Sequence, residues 1–494
     1  MAPQRITGAG SGPAEASGTP PGAVSPGAGG AAVSGARLTG SGGRSAAARR
    51  FAAIARRRGA GRAGCAVLLA VALTAGSVAL GGVREDRDGV AAGAARGGPG
   101  PLSAAGPDAG VPALQARLRA QPRDFGGWAA LGLAHVEQAR TDGDPSRYPR
   151  AEQALRRSLD LNPGNDQALA GHAALAAARH AFTDALAYAD RALVANPYNE
   201  RALCSRIDAL VELGRYADAA RAADTADARR PGVPVFTRYA YVRELHGEVG
   251  TARRVLEQAL AAASSPADVA YVATQLGRLA WDQGDHGAAL RHYARALAAD
   301  DTHLPALEGR ARVKAASGDR AGAVRDLEAV VARHPLPGPL VALGELYEVR
   351  GETAKAREQY ALVDAWTALA RAGGVDVDLD TALAAADHGD RDAALRAARA
   401  EWDRRRTVHT ADALAWALHV NGRDEEALPY ARRASATGYR NAVFLHHLGM
   451  IERAVGREED ARRHLSAALD LNPGFSPLGA REARAALKSP EAGR

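Results

Sequence analysis

The sequence predicts an all-α protein: a stack of about ten helix–turn–helix repeats, preceded by a disordered tail and one transmembrane helix. Three observations carry this expectation. Pro163, Pro197 and Pro231 fall 34 residues apart, and each closes an amphipathic segment (SLDLNP, LVANP, DARRP). Gly-centred turns recur along the chain: LGRYADA, HGEVGTA, QGDHGAA, SGDRAGA, RGETAKA, HGDRDAA, NGRDEEA and VGREEDA. Finally, 47% of the 494 residues are apolar but only 5% are aromatic. A core of Ala, Leu and Val suits close-packed helices better than sheets.

The tail comes first. Residues 1–62 are rich in Gly, Ala, Ser and Pro, and carry nine arginines against one acid, Glu15. A stretch this poor in large apolar side chains cannot offset its ordering entropy, so disorder is expected. The formal charge of +7 is therefore a property of the tail, and residues 63–494 are close to neutral. Nucleic-acid binding needs a basic patch on a folded surface, and none is expected on the main body.

Ala63 to Val83 follows, 21 residues without a charge (AGCAVLLAVALTAGSVALGGV). As a helix it would span about 31 Å, the thickness of a hydrocarbon core. Seven arginines lie between Arg44 and Arg62, while Arg84, Glu85, Asp86, Arg87 and Asp88 on the far side are net acidic. The positive-inside rule then leaves the tail in the cytoplasm and sends the rest across the membrane. Two readings stay open: an uncleaved anchor at 63–83, or export with cleavage near Ala79, after Ser77-Val78. Arg49-Arg50-Phe51 matches a twin-arginine signal only loosely, and Cys65 precedes the apolar run, where a lipoprotein cysteine would follow it. A buried core helix fits poorly behind such a tail. Residues 84–111 (GGPG, PLSAAGPDAG) read as a flexible stalk.

The array is expected over 112–488. Ala151, Ala185 and Ala219 each lie 12 residues before the proline of their repeat, and Ser158, Ala192 and Ala226 lie five before it. Gly supplies the left-handed residue that ends a first helix, and the Ala five residues on lets two helices cross closely. The beat resumes at Asp301 and Pro335 and closes at Leu471-Asn472-Pro473. Ten units fit within 125–473, with Pro477–Leu487 as a capping helix. The irregular joins near 262–268 and 367–378, and the degenerate eighth unit (379–402), are places where the array could bend or split.

These residues resemble the tetratricopeptide repeat. Trp128-x-x-Leu131-Gly132 with Ala151, Leu155 and Pro163 matches its pattern in the first unit, apart from seven extra residues within 138–147 and His135 replacing Tyr. Leu276-Gly277 with Ala289, Tyr293 and Ala296 matches in the fifth. Leu343-Gly344-x-x-Tyr347 with Ala356 and Tyr360 matches in the seventh, and Leu448-Gly449 with Ala461, Leu465, Ala468 and Pro473 in the tenth. The resemblance implies a right-handed α-solenoid whose first helices line a concave groove. Arg/Ala/Gly richness with almost no Lys resembles the usage of high-GC bacteria, actinobacteria above all.

Groove positions follow from the core offsets. They give Arg201, Asp208 and Glu212 in the third unit, and Thr237, Tyr241 and Glu244 in the fourth. The fifth contributes Tyr271, Thr274, Arg278, Trp281 and Asp282, and the sixth Glu308 and Arg312. Later units add Asp412, Trp416, His419, His446 and Arg453. Aromatics and Arg are common anchors at interfaces, so units four to six are the expected peptide-binding site. For Trp281 two readings compete, a groove anchor and a core packing residue. The Lys/Asn clamp of chaperone-binding relatives is absent, since the only lysines are Lys314, Lys355 and Lys488.

No chemistry is expected. Two cysteines, Cys65 and Cys204, exclude a disulfide framework and a multi-cysteine zinc site. The histidines include no H-E-x-x-H, and the Gly runs at 8–12 and 27–30 lie in the tail, not between a strand and a helix. No cofactor or metal is expected, and Cys204 reads as an inert packing residue. The expected function is a non-enzymatic scaffold or adaptor that presents its groove to a protein or peptide at the extracytoplasmic face of the membrane. Two alternatives stand beside it. One is an assembly factor, because LQARLRAQPRDFGGWAALGLAHVEQAR (114–140) is similar to the tetratricopeptide subunit of c-type cytochrome maturation. The other is an enzyme with its site in the irregular eighth unit.

Overall fold

A computed structural model describes residues 107–488, apart from 143–144 and 373–377. The expected tail (1–62), transmembrane segment (63–83) and most of the expected stalk lie outside the described residues. No described helix is long and apolar enough to cross a membrane.

The described residues form helices joined by short turns, without strands among them. Ten hairpins follow one another, and units three to six are typical: Glu200–Glu212 with Tyr216–Arg229, Val233–Leu245 with Val249–Ala262, Pro266–Asp282 with His286–Ala299, and Leu304–Ala316 with Arg320–Arg333. The result is an α-solenoid whose hairpins have the length, turns and small-residue packing of tetratricopeptide repeats. Local chemistry sets the helix ends. Asn165, Asn199, Ser265, Asp285, Asp319 and Asp390 each accept a backbone N–H of the helix they precede, which satisfies donors that the helix cannot. Most first helices end on a glycine in the left-handed region, as at Gly318 (φ 93°) and Gly351 (φ 76°). In the second unit that place falls to His180 (φ 59°), a residue with a β-carbon.

Between helices the core interleaves alanines with larger apolar residues, and one bulky side chain of a second helix fills the closest crossing of its unit. Tyr293 of the fifth unit is 3% exposed and lies against two glycines: a β-carbon at Gly277 would stand 2.6 Å from its ring, and one at Gly309 2.2 Å. The Leu-Gly step of a first helix is thus a slot for the bulky residue of a second helix.

The irregular stretches are absorbed into helices. The extra residues of the first unit extend Phe125–Asp142 and add a short 3-10 turn, Pro145–Arg147. Pro266–Asp282 and Thr353–Ala372 run to 17 and 20 residues, where other first and second helices commonly have 13 and 14. The eighth unit is an ordinary hairpin, Asp378–His388 with Arg391–Arg404, and His388 stacks at 4.1 Å on Tyr360 of the seventh. The stack therefore does not split there. The capping helix is Gly479–Lys488. One boundary needs correcting. The stretch read as a stalk to residue 111 ends inside a helix, Pro107–Ala120, whose Val111, Leu114 and Leu118 pack against Leu131 and Ala154. Its apolar residues fall at helical spacing, but Gly110 and Pro112 disguise them in the sequence.

Candidate functional site

The site is built on the first helices of units three to six. Glu244 lies in the last turn of the fourth unit's first helix, and Arg278 stands 34 residues later on the fifth's. Arg278 donates from Nη1 to Oε1 of Glu244 at 3.1 Å, from Nη2 to Oε2 at 2.5 Å, and from Nη1 to Oδ2 of Asp282 at 2.8 Å. Its guanidinium also lies 5.8 Å from the centre of the Tyr241 ring. Two carboxylates share one cation in a partly sealed place. Burial, with Glu244 adding to it, pushes the Asp282 carboxyl up to about 7 against the pull of Arg278. Burial works against the charge on Arg278, yet Glu244 and Asp282 hold its pKa well above the ordinary value. One unit further on, Arg312 pairs with Glu308 at 2.5 Å and keeps 47% of its side chain exposed.

The remaining expected groove residues divide in two. Arg201 reaches Glu137 at 3.4 Å across two units. Tyr271 is half-buried. Asp208 is taken into the core by Arg238, whose Nε bonds both its oxygens at 3.0 and 2.9 Å; burial raises its carboxyl pKa. Thr237 and Thr274 are buried, and their hydroxyls donate to Val233 O and Ala270 O one turn back, at 3.0 and 2.7 Å. Trp281 is 8% exposed, packs with Leu279 and Ala280 in the core of the fourth to sixth units, and stacks at 5.1 Å on His286. It therefore offers little surface to a partner. The ninth and tenth units behave likewise: His447 stacks on Trp416 at 4.1 Å and its Nδ1 meets Asp412 at 3.0 Å, while Trp416 Nε1 donates to Asp387 at 2.6 Å. Beside them an open cleft of about 870 Å³ is lined by Asp390, Asp392, Trp416, His419 and Glu482.

Several residues at the site had no signal in the repeat pattern. Arg405, before the ninth unit, binds Glu401 and reaches back to Glu212. His409 and Tyr439 lie 5.7 Å apart on the same side. Both come within electrostatic reach of Arg278. Burial, together with Arg405 and Arg278, drives the His409 pKa down to about 3, so it is neutral at physiological pH. Arg405 and Glu212 are 193 residues apart, and His409 and Tyr439 lie more than three repeat lengths beyond Arg278, separations that no repeat of 34 announces.

Chemically the site is a charged and aromatic surface without an obvious nucleophile. Cys204 is 2% exposed, and burial raises its thiol to about 11, far from a reactive thiolate. Among the described residues no group of three His, Cys, Asp or Glu side chains is placed to hold a metal ion.

No protein-family model matches the chain, and no curated protein matches it. Solved structures do. The chain is similar to PilF of Pseudomonas aeruginosa at 20% identity, over 43% of this chain and 94% of that one, with a TM-score of 0.34. It is similar to a thermophilic tetratricopeptide protein of Thermus thermophilus at 22% identity over 41% and 99%, with a TM-score of 0.32. Human IFIT1, in a dimer with m7Gppp-AAAA, aligns at 16% identity over 67% and 77%, with a TM-score of 0.44. This chain's own helix pairs, not these likenesses, define its fold.

Proposed function

We propose that the chain is a non-enzymatic scaffold that holds a protein or peptide on the concave face of units four to six. The observation that supports this reading is the Glu244–Arg278–Asp282 group beside Tyr241 and the exposed Arg312. Charged side chains in mixed sign, next to an aromatic face, offer directed hydrogen bonds and area to a polypeptide. The acids at this face argue for a polypeptide over a nucleic acid, whose phosphates need clustered cations. An anchor at 63–83 would carry the array outside the cytoplasm.

A photoactivatable residue placed at Tyr271, and in a second protein at Val194, which is 86% exposed, tests the binding face. The expected result is one discrete adduct from position 271 that Arg312→Ala weakens, with none of the same mass from 194. Equal adducts from both positions would remove the groove from the proposal. Protease treatment of spheroplasts tests the anchor. The repeats should be degraded and the tail protected, whereas a full-length soluble pool would reject it.

A further inference from the structure

The turn glycines of units three, four and five carry a second set of contacts that those of units six, seven, nine and ten lack. A β-carbon at Gly214 would stand 2.3 Å from the carbonyl oxygen of Arg406. At Gly247 it would stand 2.6 Å from that of Gly438, and at Gly284 2.2 Å from that of Leu471. Gly318, Gly351, Gly422 and Gly456 share the left-handed conformation, yet a β-carbon there would meet nothing within 4 Å. Three successive turns are thus touched, in order, by the joins before the ninth unit, before the tenth, and before the capping helix. The register barely changes along the contact, close to 190 residues each time.

Side chains seal this contact by completing helix ends across it. The N–H of Val408, at the first position of its helix, has no partner within that helix. It donates to the hydroxyl of Tyr216 at 2.8 Å. The carbonyl of Trp281, in the last turn of its helix, accepts Nδ2 of Asn472 at 2.8 Å, and Oδ1 of Asn472 meets Nε2 of His286 at 3.1 Å. Arg405 bridges Glu212 and Glu401. Val408, Tyr439 and Phe444 share one apolar cluster with Leu203, Val242 and Leu245.

We infer that these three joins form a latch that closes the solenoid on itself, laying His409 and Tyr439 over the Arg278 face, and that the latch must open before a partner enters. The last clause rests on the binding face proposed above; the latch itself does not.

Two triple variants of the full chain test it. Gly214→Ala, Gly247→Ala and Gly284→Ala together force β-carbons into the latch, while Gly318→Ala, Gly351→Ala and Gly422→Ala impose the same left-handed strain in open space. Amide hydrogen exchange at 405–411 and 438–441 should be at least tenfold faster in the first triple than in the second. Carbethoxylation of His409 by diethyl pyrocarbonate, followed by peptide mass spectrometry, should rise at least threefold in the first triple alone, because its Nε2 is sealed from solvent. Equal exchange in the two triples overturns the latch, and faster exchange without a rise at His409 overturns its role as a cover. Should the first triple fail to fold, Tyr216→Phe with Asn472→Ala removes three latch hydrogen bonds without steric strain and is read the same way. No partner is needed for either readout, so equal adducts from positions 271 and 194 would remove the binding face and leave the latch standing.

Discussion

Tyr293 shows what a single residue does in this array. Its ring fills the space left by the missing side chains of Gly277 and Gly309, so neither position has room for a methyl group. Gly309→Ala should lower stability by roughly 1–3 kcal/mol, the usual cost of overpacking a filled core; an unchanged denaturant midpoint would show that the ring can move aside. His180 presents the opposite case. It lies 34 residues before Gly214 and holds φ 59° with a β-carbon, a conformation that costs an L-residue roughly 1–2 kcal/mol. His180→Gly should therefore stabilise the chain by about 1 kcal/mol, reduced by the lost stack on Phe182. Asp282 makes a prediction about pH. Its folded-state pKa, about 7, lies above the ordinary carboxylate value. The folded protein thus binds more protons than the unfolded chain between about pH 4 and 7, and this group's contribution falls as pH rises through that window. Asp282→Asn removes the titration, so the variant's melting temperature should drop less than the parent's between pH 5 and 7.5. Parallel curves would mean that Asp282 ionises normally.

Whole elements are held by their joins. Asn199 caps the helix Glu200–Glu212 by accepting the N–H of Ala202 at 2.9 Å, and its Nδ2 donates to Asp166 of the preceding unit at 2.7 Å. One side chain thus ends a helix and ties it to its neighbour. Asn199→Ala should cost about 1–2 kcal/mol by the measure of lost caps, and should raise hydrogen exchange at 200–203 before any other segment; uniform exchange would place the effect elsewhere. The hairpins were legible because Gly, Ala and Pro recur at fixed offsets, each forced by a turn or a close crossing. The helix Pro107–Ala120 was not, since it stands outside the repeat and its three buried residues lie among Gly and Pro. Of the expected groove residues, Glu244 and Arg278 do meet, because they stand one repeat period apart on adjacent first helices. Thr237 and Thr274 share the groove spacing, but a hydroxyl can satisfy itself on its own helix and turn away from a partner. Arg405, His409 and Tyr439 carry no periodic mark, because curvature summed over several units brings Arg405 to Glu212 and sets His409 and Tyr439 near Arg278.

That sum makes the whole molecule differ from a simple linear stack. In an open array each unit touches only its neighbours, so removing any one unit costs similar amounts. Here residues 214 to 406, 247 to 438 and 284 to 471 enclose spans of nearly constant length, and the contacts match only if every span keeps its count of units. Removing 166–199 takes out a unit ahead of all three spans. Tyr148 moves into the place of Phe182, and of the contacts to the later joins only Arg405–Phe182 is put at risk. Removing 300–333 takes the sixth unit from inside all three spans, so each turn glycine would face the wrong join. Both deletions should stay strongly helical by circular dichroism, because neighbouring hairpins still stack. The second should in addition show a larger hydrodynamic radius for its mass, a broader melting transition, and fast exchange at 405–411. Equal compactness and equal cooperativity in the two deletions would show that the array behaves as a linear stack, with the contacts between its turns contributing little to its cohesion.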